Sequence, residues 1–305
     1  MDVLPISPAL RPLGQTSLRA FPIAYGSWRF AGTDVRTARE KIETAVEVGI
    51  NLFDHADIYG GNGAAEELFG HVLAEVPHLR DAMLIATKGG IVPSVPYDSS
   101  REHLLRAAEG SLRRLRIDVI DLYHIHRPDL LAHPQEMAAA LTHLRDVGKI
   151  REVGVSNFTS AQFDALQSFL PFPIATHQLE MSAWWLEPLR NGLLDQGMRE
   201  RVTPLAWSPL AGGHLGLGAD AARTKTNGER LAALIECLDR LAERESVRRS
   251  AIALAFLLVH PAGIVPIIGT QRPERIRDSL AALHVRLTRA DWYEIVVASQ
   301  RKRLP

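Results

Sequence analysis

Four titratable side chains at or just after the ends of strand-like runs could carry proton chemistry: Asp54, Tyr59, Lys88 and His126. A tyrosine hydroxyl, with a pKa of about 10, is poorly matched to neutral pH as an acid. An adjacent ammonium such as that of Lys88 stabilises the tyrosinate and lowers this pKa, and Asp54 can hold the ammonium by an ion pair. His126 can donate a second hydrogen bond to the substrate oxygen. Reduction of a carbonyl by hydride needs such a set, because the alkoxide that forms must receive a proton.

The segments that must position these side chains alternate between short apolar runs and stretches with helical period. The apolar runs predict eight strands, over residues 22–25, 51–54, 83–88, 119–126, 150–155, 174–179, 203–207 and 263–269. A helical stretch follows each run, and no long low-complexity linker interrupts the series. This rhythm is typical of an α/β chain folded as a closed, parallel (β/α)8 TIM barrel. We expect residues 1–305 to form one barrel domain.

Capping patterns predict where several helices begin, because a Ser or Thr followed three residues later by an acidic or amide side chain satisfies the first free N–H groups. The pairs are Thr37 with Glu40, Ser99 with Glu102, Thr159 with Gln162 and, for one extra C-terminal helix, Thr288 with Asp291. Ahead of the first strand, Leu10–Arg19 contains a Gly14-Gln15 turn between short extended pieces. We expect this segment to form a β-hairpin that plugs the bottom of the barrel.

Polar or aromatic residues stand at the ends of six successive strands: Asp54, Lys88, His126, Ser156-Asn157, Gln178 and Trp207-Ser208, with Tyr59 in the loop after Asp54. In a (β/α)8 barrel the carboxyl ends of the strands meet at one mouth, where active sites lie. We therefore expect these side chains to surround one cavity. Alternate strand residues share a face, so Lys88 and Thr87 point to opposite sides of the sheet. The proton chemistry requires Lys88 to point inward, and the pattern permits this.

The chain resembles the aldo-keto reductase superfamily from Gly26 to about Leu283, most closely a bacterial branch of general oxidoreductases. The resemblance rests on several motifs, which are Gly49-Ile-Asn-Leu-Phe-Asp54-His-Ala-Asp-Ile-Tyr59-Gly, Ile85-Ala-Thr-Lys88, Asp121-Leu-Tyr-His-Ile-His126-Arg-Pro-Asp129, Gly148-Lys-Ile-Arg-Glu-Val-Gly154-Val-Ser-Asn157-Phe, Trp207-Ser-Pro-Leu210 and Val265-Pro-Ile-Ile-Gly269-Thr. The resemblance implies a reductase of aldehydes and ketones with Tyr59 as general acid, assisted by Lys88, Asp54 and His126.

The resemblance also implies a nicotinamide cofactor, which carries the hydride while the protein supplies geometry and field. Trp207 is expected to stack on the nicotinamide, and Asn157 and Gln178 to bind its carboxamide. The Ser208–Gly213 loop is expected to cradle phosphates, since glycines let backbone N–H groups approach closely. The full set of expected cofactor residues is Gly26, Ser27, Trp28, Ser156, Asn157, Gln178, Trp207, Ser208, Pro209, Leu210, Gly212, Gly269, Thr270, Gln271, Arg272 and Arg275.

Arg272 and Arg275 open the last barrel helix, where a helix N-terminus and two guanidinium groups can bind a phosphate. This favours NADPH over NADH, although both arginines can also be read as ordinary solvated surface. The family often carries Glu-Asn for the adenine where this chain has Asp278-Ser279. No Rossmann pattern runs from a strand into a helix, because the loose match at Gly216-x-Gly218 has no strand before it.

Other functions remain open at this point. His124-x-His126 resembles a metal pair on a strand, but zinc prefers three or four protein ligands, and His55, Asp57 and His177 do not follow a recognised spacing. A lysine at a strand end suits the Schiff base of an aldolase. A cofactor-binding sensor is a third alternative. Two structural readings are also open: Tyr59 as a packed amphipathic side chain, and Lys88 as a side chain that only extends from the rim of the barrel.

The composition of the chain indicates which classes of binding partner to expect. Lys+Arg and Asp+Glu both number 35, which gives no reason to expect nucleic acid or an anionic membrane. The single cysteine, Cys237, fits a reducing compartment, and the first residues lack a signal peptide, so we expect a cytoplasmic monomer or weak oligomer. The partner is a small carbonyl substrate. Its identity depends on loops 28–34, 127–133 and 181–190, where Trp28, Trp184 and Trp185 predict an apolar pocket.

Overall fold

The computed structural model describes residues 2–302, and its centre is a closed barrel of eight parallel strands. The strands follow one another round the barrel in chain order, and the last pairs with the first. This confirms the expected (β/α)8 fold. The strands are β3 (Ala24–Gly26), β4 (Leu52–Asp54), β5 (Leu84–Gly89), β6 (Ile120–Ile125), β7 (Ile150–Ser156), β8 (Thr176–Glu180), β9 (Thr203–Trp207) and β10 (Val265–Ile268).

Helices surround the barrel, and one more follows it at the C-terminal end, as expected. They are α1 (Val35–Glu47), α2 (Ala64–Glu75), α3 (Arg101–Leu115), α4 (Pro134–Asp146), α5 (Ser160–Gln167), α6 (Leu193–Glu200), α7 (Ala219–Arg223), α8 (Gly228–Glu245), α9 (Arg249–Leu258), α10 (Pro273–Asp278) and α11 (Arg289–Gln300). Short 3-10 helices cover Pro77–Ala82, Glu187–Leu189, Ala211–Gly216 and Ser279–His284. Between residues 2 and 302, no helix combines the length and the apolar character needed to cross a membrane.

Two helix starts differ from the sequence prediction. Helix α1 is capped by Asp34, whose carboxylate accepts from the Thr37 backbone N–H at 2.7 Å, so Thr37 lies inside the first turn. A carboxylate is at least as good a cap as a threonine hydroxyl, and it acts one turn earlier. Helix α3 is capped by Ser100 rather than Ser99. The capping boxes at Thr159 and Thr288 are confirmed, with both reciprocal hydrogen bonds present.

The apolar core has an outer and an inner part. The outer part lies between the strands and the helices and includes the buried Cys237 of α8. The inner part fills the amino-terminal end of the barrel with side chains from alternate strand positions and from the predicted hairpin, in which β1 (Arg11–Pro12) pairs antiparallel with β2 (Arg19–Ala20). Leu13 and Leu18 of the hairpin are buried in this inner cluster, so the bottom of the barrel is plugged.

Gly14 fixes how closely the hairpin approaches the barrel. Its φ is +58°, and its N–H donates to the Thr203 hydroxyl oxygen at 2.8 Å. A Cβ on Gly14 would lie 2.5 Å from the carbonyl oxygen of Ala175, closer than van der Waals contact allows. Both the positive φ and the space therefore require glycine here.

Gly14→Ala should lower the free energy of unfolding by about 1–3 kcal/mol more than Gly32→Ala, because only the first adds an overlap with backbone. Gly32 is a matched control, since its φ is +86° and nothing lies within 4 Å of an added Cβ. Urea unfolding of both variants measures the difference. Equal losses would show that the hairpin adjusts without cost.

Candidate active site

The carboxyl ends of the strands bring Asp54, Lys88 and Gln178 into the barrel interior at one mouth, with His126 directly after β6. The alternation along β5 separates two environments. Thr87 points outward and donates to the Glu66 carboxylate of α2, whereas Lys88 points inward and reaches Asp54. The barrel therefore places packing and chemistry on opposite faces of the same strand.

The Lys88 ammonium is fully buried and has three acceptors. Its Nζ donates to Asp54 Oδ2 at 2.8 Å, to the His55 carbonyl oxygen at 2.6 Å and to Tyr59 Oη at 3.2 Å. Burial lowers the pKa of Lys88, but the Asp54 carboxylate and the Tyr59 oxygen raise it by more, so the net shift is upward. Gln178 Nε2 donates to the other Asp54 oxygen at 2.9 Å. The raised pKa keeps Lys88 charged beside Asp54.

Tyr59 differs from the sequence expectation in its acidity. Burial raises its pKa above the ordinary value, and the opposing effect of Lys88 does not offset it. The phenol therefore keeps its proton at neutral pH, which is the form that a proton donor needs. Because an ammonium has donors only, Tyr59 Oη accepts from Lys88, and its own hydrogen is free to point elsewhere. Trp28 and His126 lie perpendicular to its ring, at centroid distances of 5.4 and 5.8 Å.

His126 is neutral. Burial, followed by the charges of Lys88 and Arg127, lowers its pKa to about 2. Its Nδ1 is buried without a hydrogen-bond partner among residues 2–302. No described neighbour therefore fixes its tautomer, and the ring can present an N–H to an oxygen bound beside Tyr59.

The expected nicotinamide residues lie together but bind one another. Trp207 Nε1 donates to Asn157 Oδ1 at 3.0 Å, and Asn157 Nδ2 donates to Ser156 Oγ at 2.7 Å. Asn157 has a φ of +58°, which turns the chain at the end of β7. The Ser27 hydroxyl donates to the Asp54 carbonyl oxygen at 3.0 Å and lies 2.7 Å from His55 Nδ1. Gly26 precedes it in β3, where a Cβ would lie 2.8 Å from Ile267.

The loop after β9 presents exposed backbone. Ser208, Ala211, Gly212 and Gly213 all have positive φ, between +51° and +103°. Nothing lies within 4 Å of a Cβ built on either glycine, so an approaching group can come close to the main chain there. The loop also contains Pro209, which is buried, and Leu210, which precedes the 3-10 helix.

The segment after β10 contains the two predicted phosphate-binding arginines. Arg272 and Arg275 are exposed, and no carboxylate within residues 2–302 lies within 4 Å of either. The neighbouring Arg277, in contrast, is paired with Glu47 at 3.0 Å. In the same segment, which begins at Gly269, the Thr270 carbonyl oxygen accepts from Tyr25 Oη, and Gln271 Oε1 accepts from Lys41 Nζ.

The pair at the adenine position makes contacts within the protein. Asp278 lies 3.0 Å from Arg248, and the Ser279 hydroxyl donates to the Ile276 carbonyl oxygen at 2.6 Å. Ser279 is also buried. Both side chains therefore already have contacts within the protein.

The histidines considered for a metal bind separate groups. His124 Nε2 lies 2.8 Å from the Thr176 hydroxyl, His55 Nδ1 lies 2.7 Å from the Ser27 hydroxyl, and His177 Nε2 accepts from the Phe158 N–H. In the part of the chain that the structure describes, no group of three or more His, Cys, Asp or Glu residues could hold a metal ion.

Comparison with known proteins identifies the family. The model of the aldo/keto reductase family matches residues 22–299, which is most of the chain. The chain belongs to this family. Among curated aldo/keto reductase relatives, a 6-dehydroglucose reductase of Novosphingobium aromaticivorans is 47% identical, with full coverage of both chains. A protein with the same name from Agrobacterium fabrum is 40% identical, over 90% of this chain and 92% of its own.

Solved structures agree with this aldo/keto reductase fold. A glycerol dehydrogenase from Gluconobacter oxydans superposes with a TM-score of 0.84 at 26% identity and covers 98% of both chains. A thermostable aldo-keto reductase crystallised with the inhibitor epalrestat superposes with a TM-score of 0.81 at 27% identity, over 95% of this chain and 99% of its own.

Sequence reasoning did not single out a polar cluster that supports the Tyr59 segment from outside the barrel. Glu66 is fully buried, accepts from Thr87 and pairs with Arg114 at 2.7 Å. Asp57, two residues before Tyr59, has one buried oxygen without a partner among residues 2–302. Burial and the Glu66 carboxylate raise the pKa of Asp57 to about 7, against the opposing charges of Arg114 and Lys88. These residues come from separate elements, so no local spacing marks them.

The raised pKa of Asp57 predicts a loss of stability as the pH rises. The ordinary carboxyl pKa is 3.8, so between there and about 7 the folded state holds a proton that the unfolded chain releases. Asp57→Asn removes this penalty, and its stability relative to the parent should rise by about 1–3 kcal/mol between pH 5 and pH 8. Urea unfolding at both pH values measures this, with the exposed Asp118→Asn as control. A pH-independent difference would contradict the assignment.

Proposed function

We propose that this aldo/keto reductase uses NADPH to reduce an aldehyde or ketone to an alcohol, with Tyr59 as the proton donor. The observation that supports this is the buried chain of contacts from Asp54 through Lys88 to Tyr59 Oη. Since all three Lys88 N–H groups have acceptors within the protein, the Tyr59 hydroxyl hydrogen is the one available to a substrate oxygen.

Each residue has a distinct part in the proposed reaction. The bound cofactor supplies the hydride that the carbonyl carbon receives. Tyr59 Oη transfers its proton to the carbonyl oxygen, a far stronger base once it becomes an alkoxide, and Lys88 stabilises the tyrosinate left behind. Neutral His126 donates a hydrogen bond that orients the same oxygen. Asp54 holds Lys88 in place.

The residues present fit a nicotinamide dinucleotide. Trp207 offers a flat ring at the mouth and donates to Asn157, and Gln178 pairs with Ser156, the residue before Asn157, so both amides are available for the carboxamide. The exposed backbone at Gly212 and Gly213 suits a pyrophosphate. Arg272 and Arg275 have no carboxylate partner among the described residues, so both are free to bind a 2′-phosphate. This last feature favours NADPH over NADH.

The names of two relatives indicate a class of substrate. Two relatives, at 47% and 40% identity and with nearly full coverage, are called 6-dehydroglucose reductases. That compound is a hexose with an aldehyde at C6. We therefore propose a sugar-derived aldehyde as the substrate of this chain.

The aldolase alternative loses support from the charge on Lys88. A Schiff base requires a neutral amine as nucleophile. Ion pairing with Asp54 and contact with Tyr59 raise the pKa of Lys88 despite burial, so the amine stays protonated. The ion pair therefore suits an electrostatic role for the lysine.

Tyr59→Phe keeps the ring and removes only the proton donor. The rate at saturating NADPH with a reactive aromatic aldehyde should fall about 10²–10⁴-fold, the usual contribution of a general acid. NADPH binding, followed by fluorescence titration, should remain close to that of the parent. Comparable turnover in variant and parent would instead assign the proton to another group, first of all His126.

The double variant Arg272→Ala/Arg275→Ala should lose most of its preference for NADPH. Removal of charge-assisted phosphate contacts should cost about 1.5–3 kcal/mol in NADPH binding and leave NADH binding nearly unchanged. Dissociation constants for both cofactors measure this. Arg277→Ala is the matched control, because that arginine is already paired with Glu47. An unchanged ratio in the double variant would show that the arginines do not contact the 2′-phosphate.

A further inference from the structure

Two charged side chains at the mouth have no hydrogen-bonding or oppositely charged partner in the described part of the protein. Arg127 directly follows His126, and Glu180 is the last residue of β8. Both are half-buried. Among residues 2–302, neither side chain forms a hydrogen bond, and neither has an oppositely charged group within 4 Å. Partly buried charges that lack a hydrogen-bonding or oppositely charged partner lose hydration that the protein does not fully replace, so they commonly mark positions where a ligand supplies the contacts.

Both side chains lie close to the reacting groups. The Arg127 guanidinium is 5.6 Å from the centre of the Trp207 ring, and its charge acts on Tyr59 and His126. Glu180 is aligned with Trp207 in the pairing of β8 with β9. Arg127 and Glu180 therefore both neighbour Trp207, and the charge of Arg127 opposes the rise in the pKa of Glu180 that burial causes. A small molecule at Tyr59 can therefore reach both.

An exposed aromatic side chain, Trp28, also lies beside Tyr59. Trp28 is 63% exposed, although it lies against the Tyr59 ring in a perpendicular arrangement. A sugar ring has an apolar C–H face, which packs on aromatic rings, and hydroxyl groups at its edge, which both donate and accept hydrogen bonds. A guanidinium offers donors only, and a carboxylate offers acceptors only. Arg127 can therefore donate to a hydroxyl oxygen, and Glu180 can accept from a hydroxyl hydrogen.

We propose that Arg127, Glu180 and Trp28 form a hydroxyl-binding subsite that selects neutral, polyhydroxylated aldehydes, such as a hexopyranose with its aldehyde at C6. This proposal rests on the proposed function. The two charges sum to zero, and Glu180 would repel a phosphate, so a neutral sugar fits better than a phosphorylated one. Arg127 and Glu180 bind the substrate, and Trp28 supports the apolar face of its ring.

The test compares two aldehydes carried on six-membered rings, one with a ring oxygen, hydroxyl groups and a methoxy group and one with none of these. A methyl hexopyranoside oxidised to the aldehyde at C6 is paired with cyclohexanecarbaldehyde, and NADPH oxidation gives kcat/KM for both. Arg127→Met and Glu180→Gln should each reduce the ratio of the sugar to the carbocycle at least about tenfold, because a charged hydrogen bond to the substrate is lost. Arg145→Met is the control, because it removes another guanidinium packed on an aromatic ring, that of Phe172, outside the mouth.

The possible results separate the subsite from the activity. A parent enzyme that reduces neither aldehyde would overturn the proposed function. A parent that reduces both, with variants whose sugar-to-carbocycle ratio equals that of Arg145→Met, would overturn the subsite and leave the proposed function intact. A rise in the sugar-to-carbocycle ratio would also overturn the subsite, because the side chains would then not favour the sugar. An equal loss of activity with both aldehydes would overturn it too, because the side chains would then act on the reaction common to both. A selective fall for the sugar supports the subsite.

Discussion

The buried ion pair of Lys88 and Asp54 is the constraint around which the rest of the structure is arranged. A charged ammonium in a protein interior is costly unless each of its donors has an acceptor. Here the acceptors are a carboxylate, the His55 carbonyl oxygen and Tyr59 Oη, and Gln178 satisfies the other carboxylate oxygen. Because these groups come from three strands and one loop, only a closed barrel with fixed register brings them together.

The closed amino-terminal end of the barrel keeps water away from this ion pair. The hairpin residues Leu13 and Leu18 close the amino-terminal end with an apolar cluster, so access remains only from the mouth. On the outer face of the same strands, the Glu66–Arg114 pair and Thr87 hold α2 and α3 against β5. The segment that carries Tyr59 is thus supported from both sides. Its position is determined by packing that lies far from any substrate.

Hydrophobic periodicity was sufficient to predict the barrel, since eight buried runs in series have few other solutions. The residues that cap two helices were harder to predict, because Asp34 and Ser100 compete with Thr37 and Ser99 for the free N–H groups at the helix starts. The strand-end residues could be found because parallel strands share one carboxyl edge. The raised pKa of Tyr59 could not, since it depends on how deeply three-dimensional packing buries the phenol. The position of Arg127 and Glu180 at the same mouth could not be predicted either, because the two residues lie 53 positions apart in the sequence.

The raised pKa values of Lys88 and Tyr59 are compatible because they describe one arrangement of protons. With the ammonium charged and the phenol neutral, Lys88 donates to Tyr59 Oη, and the phenol hydrogen must point to a different acceptor. His126, neutral and without a partner at Nδ1, does not compete as a charged acid. In the proposed reaction, a carbonyl oxygen bound between these rings would face the Tyr59 hydroxyl with its proton still in place. If Tyr59 is the proton donor that we propose, the burial that raises its pKa has a function, because it keeps the proton on the phenol until negative charge develops on the substrate oxygen.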